Sequence, residues 1–251
     1  MSTSPSTWTA EDASLPVAIE VLRRGPISRA DVARQLRLTR GSLSRLTAPL
    51  LDRGILLEVG EHNDGRVGRP TQLLDVDLDA HRFVGIKLRE HEVVAALTDL
   101  RCSVLQMTTT PMAVSDPASA VRIIADQVLH LAEIHEISAI GIGVGARVRN
   151  RADVVSAQFL GWQDVPLAGL VAHASGIPTV VENDVLAFTE YEHWFGEGKD
   201  DDRFAVVSLG IGTGFGLVAN GAPVVGDDYG IGLVGHWPLD ASGPMCPEGH
   251  P

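Results

Sequence analysis

Residues 137–144 read Ile137-Ser138-Ala139-Ile140-Gly141-Ile142-Gly143-Val144. The run is almost continuously apolar or small, short, and rich in β-branched side chains, which predicts a strand buried on both faces. Upstream, Ser115 or Asp116 caps a long helix with Ala120, Ile123, Ile124, Val128 and Leu131 on its apolar face. Before it, residues 83–88, 93–100 and 104–109 are three β-rich runs at hairpin spacing. Downstream come a helix around 167–174, a strand over 178–181, a helix from 185 to about 195, and strands over 204–209 and 215–219. Three antiparallel strands followed by alternating helices and strands predict an α/β body with a mixed sheet.

The N-terminal part has a different pattern. Leu15, Ala18, Ile19 and Leu22 are spaced i, i+3, i+4, i+7, and Gly25-Pro26 ends that short helix. Ser28 precedes a second helical stretch with Ala30, Val32, Ala33 and Leu36 apolar, and Asp31 makes a capping pair with it, Asp standing in for Glu. After the turn Arg37-Leu38, Thr39 caps a third helix whose Leu43, Leu46, Leu50 and Leu51 form one buried stripe. Arg40, Ser42, Ser44 and Arg45 lie off that stripe near the helix start, where a recognition helix carries its base-reading side chains. Pro49 predicts a kink in the last turns, and Gly54 ends the helix. Residues 55–59 and Thr71–Val76 predict two strands around a polar loop in which Gly65 and Gly68 flank Arg66 and Arg69. Arginine beside small residues suits the negative potential of a narrow minor groove. Together these features predict a winged helix-turn-helix, with Thr39, Arg40, Ser42, Ser44, Arg45, Arg66 and Arg69 as the DNA contacts. The alternative is a small helical interaction module that touches no DNA.

Charge distribution agrees with the first alternative. Of 251 residues, 32 are acidic and 20 basic, a formal net charge of −12. Residues 17–72 nevertheless hold ten arginines against six acids, net +4, so the remainder carries −16. A basic module on an acidic body predicts that only the module meets nucleic acid. No apolar run approaches the ~20 residues of a membrane helix. The first 13 residues carry no basic n-region, which excludes a secretory signal. Cys102 and Cys246 are the two cysteines, far apart, which excludes a disulfide framework and predicts a cytoplasmic protein.

Four features of the body could carry chemistry. Glu182-Asn183-Asp184 follows a strand at a helix start, the end of an α/β sheet where ligands collect. Asp184 could accept a substrate hydroxyl's hydrogen bond and act as a base; equally, Asn183 or Asp184 could simply cap the helix. Residues 210–216, Gly-Ile-Gly-Thr-Gly-Phe-Gly, could let backbone approach a phosphate, as could many glycine-rich hairpins. Gly235-His236 with Cys246 supplies two potential zinc ligands, fewer than a site needs. Gly161-Trp162 could line a sugar pocket, although ordinary packing is the simpler reading.

In this order the features resemble the ROK family of repressors, open reading frames and sugar kinases, in its repressor branch. The motifs are Gly68-Arg69-Pro70, Gly161-Trp162, Glu182-Asn183-Asp184, residues 209–216, and Gly235-His236 with Cys246, and the resemblance spans residues 15–251. It implies a disordered tail (1–14), a DNA-binding domain (15–78) and an actin/hexokinase-like, ribonuclease H-like body (79–251) whose second lobe is incomplete in this sequence, as in a fragment or a truncated gene. It further implies that Asn183, Asp184 and His236 bind a sugar, that Asp184 matches the kinase members' base, and that His236 and Cys246 face a zinc ion. Kinase members carry an acid, two glycines and a threonine in the first strand turn, where they position ATP phosphates. Here that stretch is Lys87-Leu88-Arg89-Glu90-His91, and Ile211 replaces a further threonine, so neither ATP binding nor kinase activity is expected. Leu233 stands at the family's sugar-binding glutamate and Glu248 at its second cysteine, with His250 nearby. The expected function is a DNA-binding regulator, a repressor of carbohydrate metabolism, binding a double-stranded operator as a homodimer and tuned by a sugar. The rivals are an ATP-dependent sugar kinase and a regulator fragment that senses nothing.

Overall fold

The computed structural model describes residues 13–62, 71–113, 116–210, 212–225 and 243. The chain divides into two compact units, Met1–Ala80 and His81–Pro251.

The first unit contains α1 (Leu15–Arg24), β1 (Ile27–Ser28), α2 (Arg29–Gln35), α3 (Arg40–Asp52), β2 (Leu56–His62) and β3 (Thr71–Val76). Both anticipated caps form. Ser28 accepts from the Asp31 amide at 3.1 Å and donates its hydroxyl to the Asp31 carboxylate at 2.6 Å, closing the pair through the side chains. Thr39 accepts from the Ser42 amide at 3.1 Å. Leu43 and Leu50 of α3 are fully buried with Val17, Val21, Val32, Leu56 and Leu74, while Leu46 and Leu51 are partly buried around them. Thr47 is also buried; its hydroxyl donates back to the Leu43 carbonyl at 3.0 Å, which lets a polar residue sit in the stripe. The helix runs on through Pro49. Ser14, expected in the disordered tail, is instead buried, and its carbonyl accepts from Val17 and Ala18 at 3.1 Å. The sheet has a third strand, in the order β1-β3-β2. The register of β2 against β3 shifts between Val59 and Glu61, where Gly60 has φ +55°, a bulge that only glycine adopts without strain.

The second unit opens with the meander β4 (Arg82–Leu88), β5 (Glu92–Thr98) and β6 (Val104–Pro111), followed by α4 (Pro117–Ala132) and β7 (Ile137–Val144). Asp116 is the cap of α4, accepting from the Ser119 amide at 2.9 Å. A small antiparallel sheet, β8 (Arg147–Arg149), β9 (Asp153–Ala157) and β10 (Trp162–Val165), lies where no strands were anticipated. Then come α5 (Leu167–Ser175), β11 (Thr179–Asn183), α6 (Asp184–Trp194), β12 (Arg203–Leu209), β13 (Thr213–Ala219) and β14 (Ala222–Pro223). The main sheet has the order β11-β7-β4-β5-β6; β4, β7 and β11 run parallel, and β5 and β6 are antiparallel. It is the mixed sheet of an α/β fold.

The expectation that 137–144 is buried on both faces needs correction. Ile140, Ile142 and Val144 are buried in one core with Val84, Ile86, Ile124 and Val171, on the face that α4 and α5 cover. Ala139, Gly141 and Gly143 alternate with them on the other face and are only partly covered. The run looked uniformly buried because the residues of its open face are small rather than polar.

Candidate functional site

Two places in the described structure gather the anticipated residues. The first is the start of α3. Thr39, Arg40, Ser44 and Arg45 are exposed and Ser42 is half-buried; Arg45 lies opposite the buried Leu43, Thr47 and Leu50, and Thr39 and Arg40 are exposed because they open the helix. The Ser44 hydroxyl donates to the Arg40 carbonyl at 3.0 Å, and the Thr39 hydroxyl to that of Ser42 at 3.0 Å, so both short side chains lie against the helix while the two guanidinium groups project from it. The helix N-terminus adds its own partial positive charge at the same end. Arg66 and Arg69 fall outside the described residues.

The second place is the carboxyl end of the parallel strands. Across the sheet Gly143 registers with Lys87 on one side and with Glu182 on the other. A Cβ on Gly143 would lie 3.7 Å from the Cα of Asp184, at ordinary contact distance, which sets the start of α6 directly against this strand. Asn183 caps that helix: its Oδ1 accepts from Val185 and Leu186 at 3.0 and 3.2 Å, and its Nδ2 donates to the Ala146 carbonyl at 3.0 Å. Glu182 accepts from the Asn183 amide at 2.8 Å and lies 3.4 Å from the Arg151 guanidinium, which also pairs with Glu190. Arg151 is presented by a turn in which Asn150 and Arg151 both have positive φ, +55° and +51°. Glu182 and Asn183 are therefore engaged by the protein itself.

Asp184 is not free. Its Oδ1 accepts from the Val185 amide at 2.9 Å, and its Oδ2 pairs with the Lys87 ammonium. Lys87 stands where the family resemblance places an acid in kinase members. Beyond it, Arg89 pairs with Glu92, and the Arg89 amide donates to the Glu92 carbonyl at 3.0 Å, closing a tight hairpin. Charged side chains occupy that turn, Arg89 beside Glu92 and His91 3.6 Å from Glu90. The second glycine run also differs from expectation. Gly214 and Gly216 lie within β13 against α6, where a Cβ on Gly216 would come within 2.9 Å of the Thr189 Cβ and one on Gly214 within 3.3 Å of the Val185 Cβ. Those two glycines serve helix–strand packing, leaving Gly210 and Gly212 at the turn, where the Gly210 amide donates to the Gly212 carbonyl at 3.0 Å. Trp162 is 3% exposed and belongs to the core.

Sequence reasoning missed two residues that lie beside Asp184. One is Lys87 as the partner of Asp184; its rarity was a usable signal, since the chain has only two lysines. The other is Phe159, on the short 3-10 turn Gln158–Leu160. Its ring is half-exposed, about 4 Å from where a Gly145 Cβ would stand and 3.5 Å from that of Gly212. His236, Cys246, Leu233, Glu248 and His250 lie outside the described residues, and no group of three metal-ligating side chains occurs among the described ones.

An α/β body with a polar site at the carboxyl ends of parallel strands, preceded by a three-helix unit with a β-hairpin, is an architecture with known relatives. The ROK family profile matches residues 83–250, and the chain belongs to the ROK family. The xylose repressor of Bacillus subtilis is 26% identical over 236 residues, 92% of this chain and 61% of that protein. The glucokinase of Thermotoga maritima is 30% identical over 179 residues, 70% of this chain and 53% of that one. A crystal structure of a ROK family transcriptional regulator, a homologue of the Escherichia coli Mlc protein, shares the fold with a TM-score of 0.72 at 24% identity, over 94% of this chain and 63% of its own. The chain thus spans about three fifths of the length of the repressors it matches. Among the described residues, no helix is long and apolar enough to cross a membrane.

Proposed function

We propose that this chain is a DNA-binding transcriptional regulator, a repressor whose operator affinity is tuned by a neutral sugar held in a body that performs no phosphoryl transfer. The observation that carries this is the exposed start of α3, where Arg40 opens the helix and Arg45 lies opposite a fully buried Leu43 and Leu50. The first unit is a winged helix-turn-helix: α2, the turn at Arg37 and α3 form the reading pair, and β2 and β3 form the wing. As a homodimer, the protein would present two such helices to two half-sites.

In the body, Asn183 fixes the start of α6 and Asp184 meets a sugar hydroxyl. Relatives named as a xylose repressor and a glucokinase support a neutral aldose as the ligand class. A sugar that binds one conformation of the body more tightly than another shifts the population, and the operator-binding state changes with it. A kinase needs a base that takes a proton from the attacking hydroxyl and a cradle that positions phosphates. Here Lys87 covers the carboxylate oxygen that would receive the proton, and the hairpin beyond it is filled by the Arg89–Glu92 pair.

The enzymatic side is tested by a coupled assay with ATP, Mg²⁺ and a panel of hexoses, pentoses and N-acetylhexosamines. No turnover above background is expected. Turnover that disappears in Asp184→Asn would show that the kinase reading is right.

A further inference from the structure

We propose that Phe159 and Lys87 complete the sugar site around Asp184. In this assignment Phe159 is a stacking platform for the C–H face of a pyranose, and the Lys87–Asp184 pair is a two-point receptor for adjacent hydroxyls. The inference rests on the sugar reading of Asp184 and names residues that reading leaves out.

Three observations meet at one point. The Asp184 carboxylate and the edge of the Phe159 ring flank the same small space, 3.8 and 3.9 Å from where a Gly145 Cβ would stand. The same edge of the ring lies 3.5 Å from where a Gly212 Cβ would stand, so two glycines leave that edge uncrowded. Phe159 is 51% exposed, whereas its neighbours Leu160 and Trp162 are buried, so the chain here sends one aromatic ring outward beside a charged pair and its flanking leucine and tryptophan into the core. A single exposed apolar residue is ordinary; one set beside a donor–acceptor pair and two glycines has the chemistry of a sugar-binding surface. Pyranose rings with equatorial hydroxyls offer axial C–H bonds to an aromatic face and hydroxyls around the rim.

Lys87 has donors only and Asp184, ionised, acceptors only. A vicinal diol satisfies both: one oxygen accepts from the ammonium, and the neighbouring hydroxyl donates to the carboxylate. The pair is preformed without ligand, so binding replaces one direct ion pair with two charge-assisted hydrogen bonds and buries no unpaired charge. D-glucose and D-xylose, whose β-pyranose chairs carry equatorial hydroxyls, fit this description.

The test is titration of D-glucose and D-xylose into the 251-residue chain by calorimetry and saturation-transfer NMR, comparing wild type with Phe159→Leu, Phe159→Trp, Lys87→Met and Asp184→Asn. Saturation of aromatic protein protons should reach the C–H protons of one sugar face in wild type and in Phe159→Trp. It should be lost in Phe159→Leu, with affinity about three- to tenfold weaker. Lys87→Met should weaken binding while leaving the aromatic transfer in place. Unchanged thermal unfolding of Phe159→Leu would show that the exposed ring is dispensable for folding. A sugar that binds and responds to Asp184→Asn but is indifferent to Phe159→Leu and Lys87→Met would overturn this assignment and leave the sugar reading standing. Failure of wild type to bind either sugar, or binding indifferent to Asp184→Asn, would overturn both.

Discussion

Arg45→Ala is expected to weaken binding to the preferred duplex by about five- to 150-fold, the ~1–3 kcal/mol of a bidentate base contact, and to leave thermal unfolding unchanged. Arg45 is exposed on α3 and has no role in the core that Leu43, Thr47 and Leu50 build, so its removal takes away a ligand contact and nothing the fold uses. Arg45→Lys should restore little, because an ammonium cannot reproduce the planar two-donor fork that a guanine edge accepts. Arg40→Ala should act in the same direction, from the first residue of the helix. The preferred duplex is obtained by selection from a random pool. Gel-shift titration at fixed salt then gives the comparison, and equal affinity of wild type and Arg45→Ala would remove α3 from the reading role.

The largest effect on stability is expected at the centre of the body. Ile140 is fully buried in the β7 strand, between β4 and β11, and shares its core with α4 and α5. Ile140→Ala should cost about 2–5 kcal/mol, the lost transfer energy plus the cavity left in a sheet that cannot close over it. That is a large fraction of the ~5–15 kcal/mol by which a domain is stable. Denaturant unfolding measures it from the shift in midpoint at constant slope. Ala139→Val is the contrasting substitution, because Ala139 lies on the partly covered face.

These two positions also show what was legible in the sequence. The first unit could be read closely because its signals are local: Ser28 and Thr39 cap helices that begin immediately after them, and the leucine spacing of α3 names its own buried side. Thr47 escaped because a polar residue entered the stripe by bonding its own helix backbone, which hydropathy cannot register. In the body, the elements from β4 to α6 were visible as runs of apolar or β-branched residues. The small sheet β8-β9-β10 was not, since its strands are three to five residues long and its first turn uses Asn150 and Arg151 at positive φ instead of glycine. β7 was read as a strand correctly but as two-faced wrongly, because glycine and alanine on an open face look like core. The site was half legible. Glu182-Asn183-Asp184 marked the strand end, but Lys87 lies 97 residues before Asp184, and only the parallel pairing of β4, β7 and β11 brings the two together. Phe159 depends on that same non-local assembly, and nothing in its neighbours distinguishes an outward ring from an inward one.

The regulator account rests above all on base reading by α3, and one competition experiment tests it most directly. The intact chain, bound to a fluorescent duplex enriched from a random pool, is challenged at fixed salt with unlabelled copies of that duplex and with scrambled DNA of equal length and composition. The account predicts that the enriched duplex competes at least ~10³-fold more effectively than the scrambled one, and that this ratio falls in Arg45→Ala. Equal competition by the two DNAs would reduce the arginines of the first unit to general phosphate contacts and contradict the account.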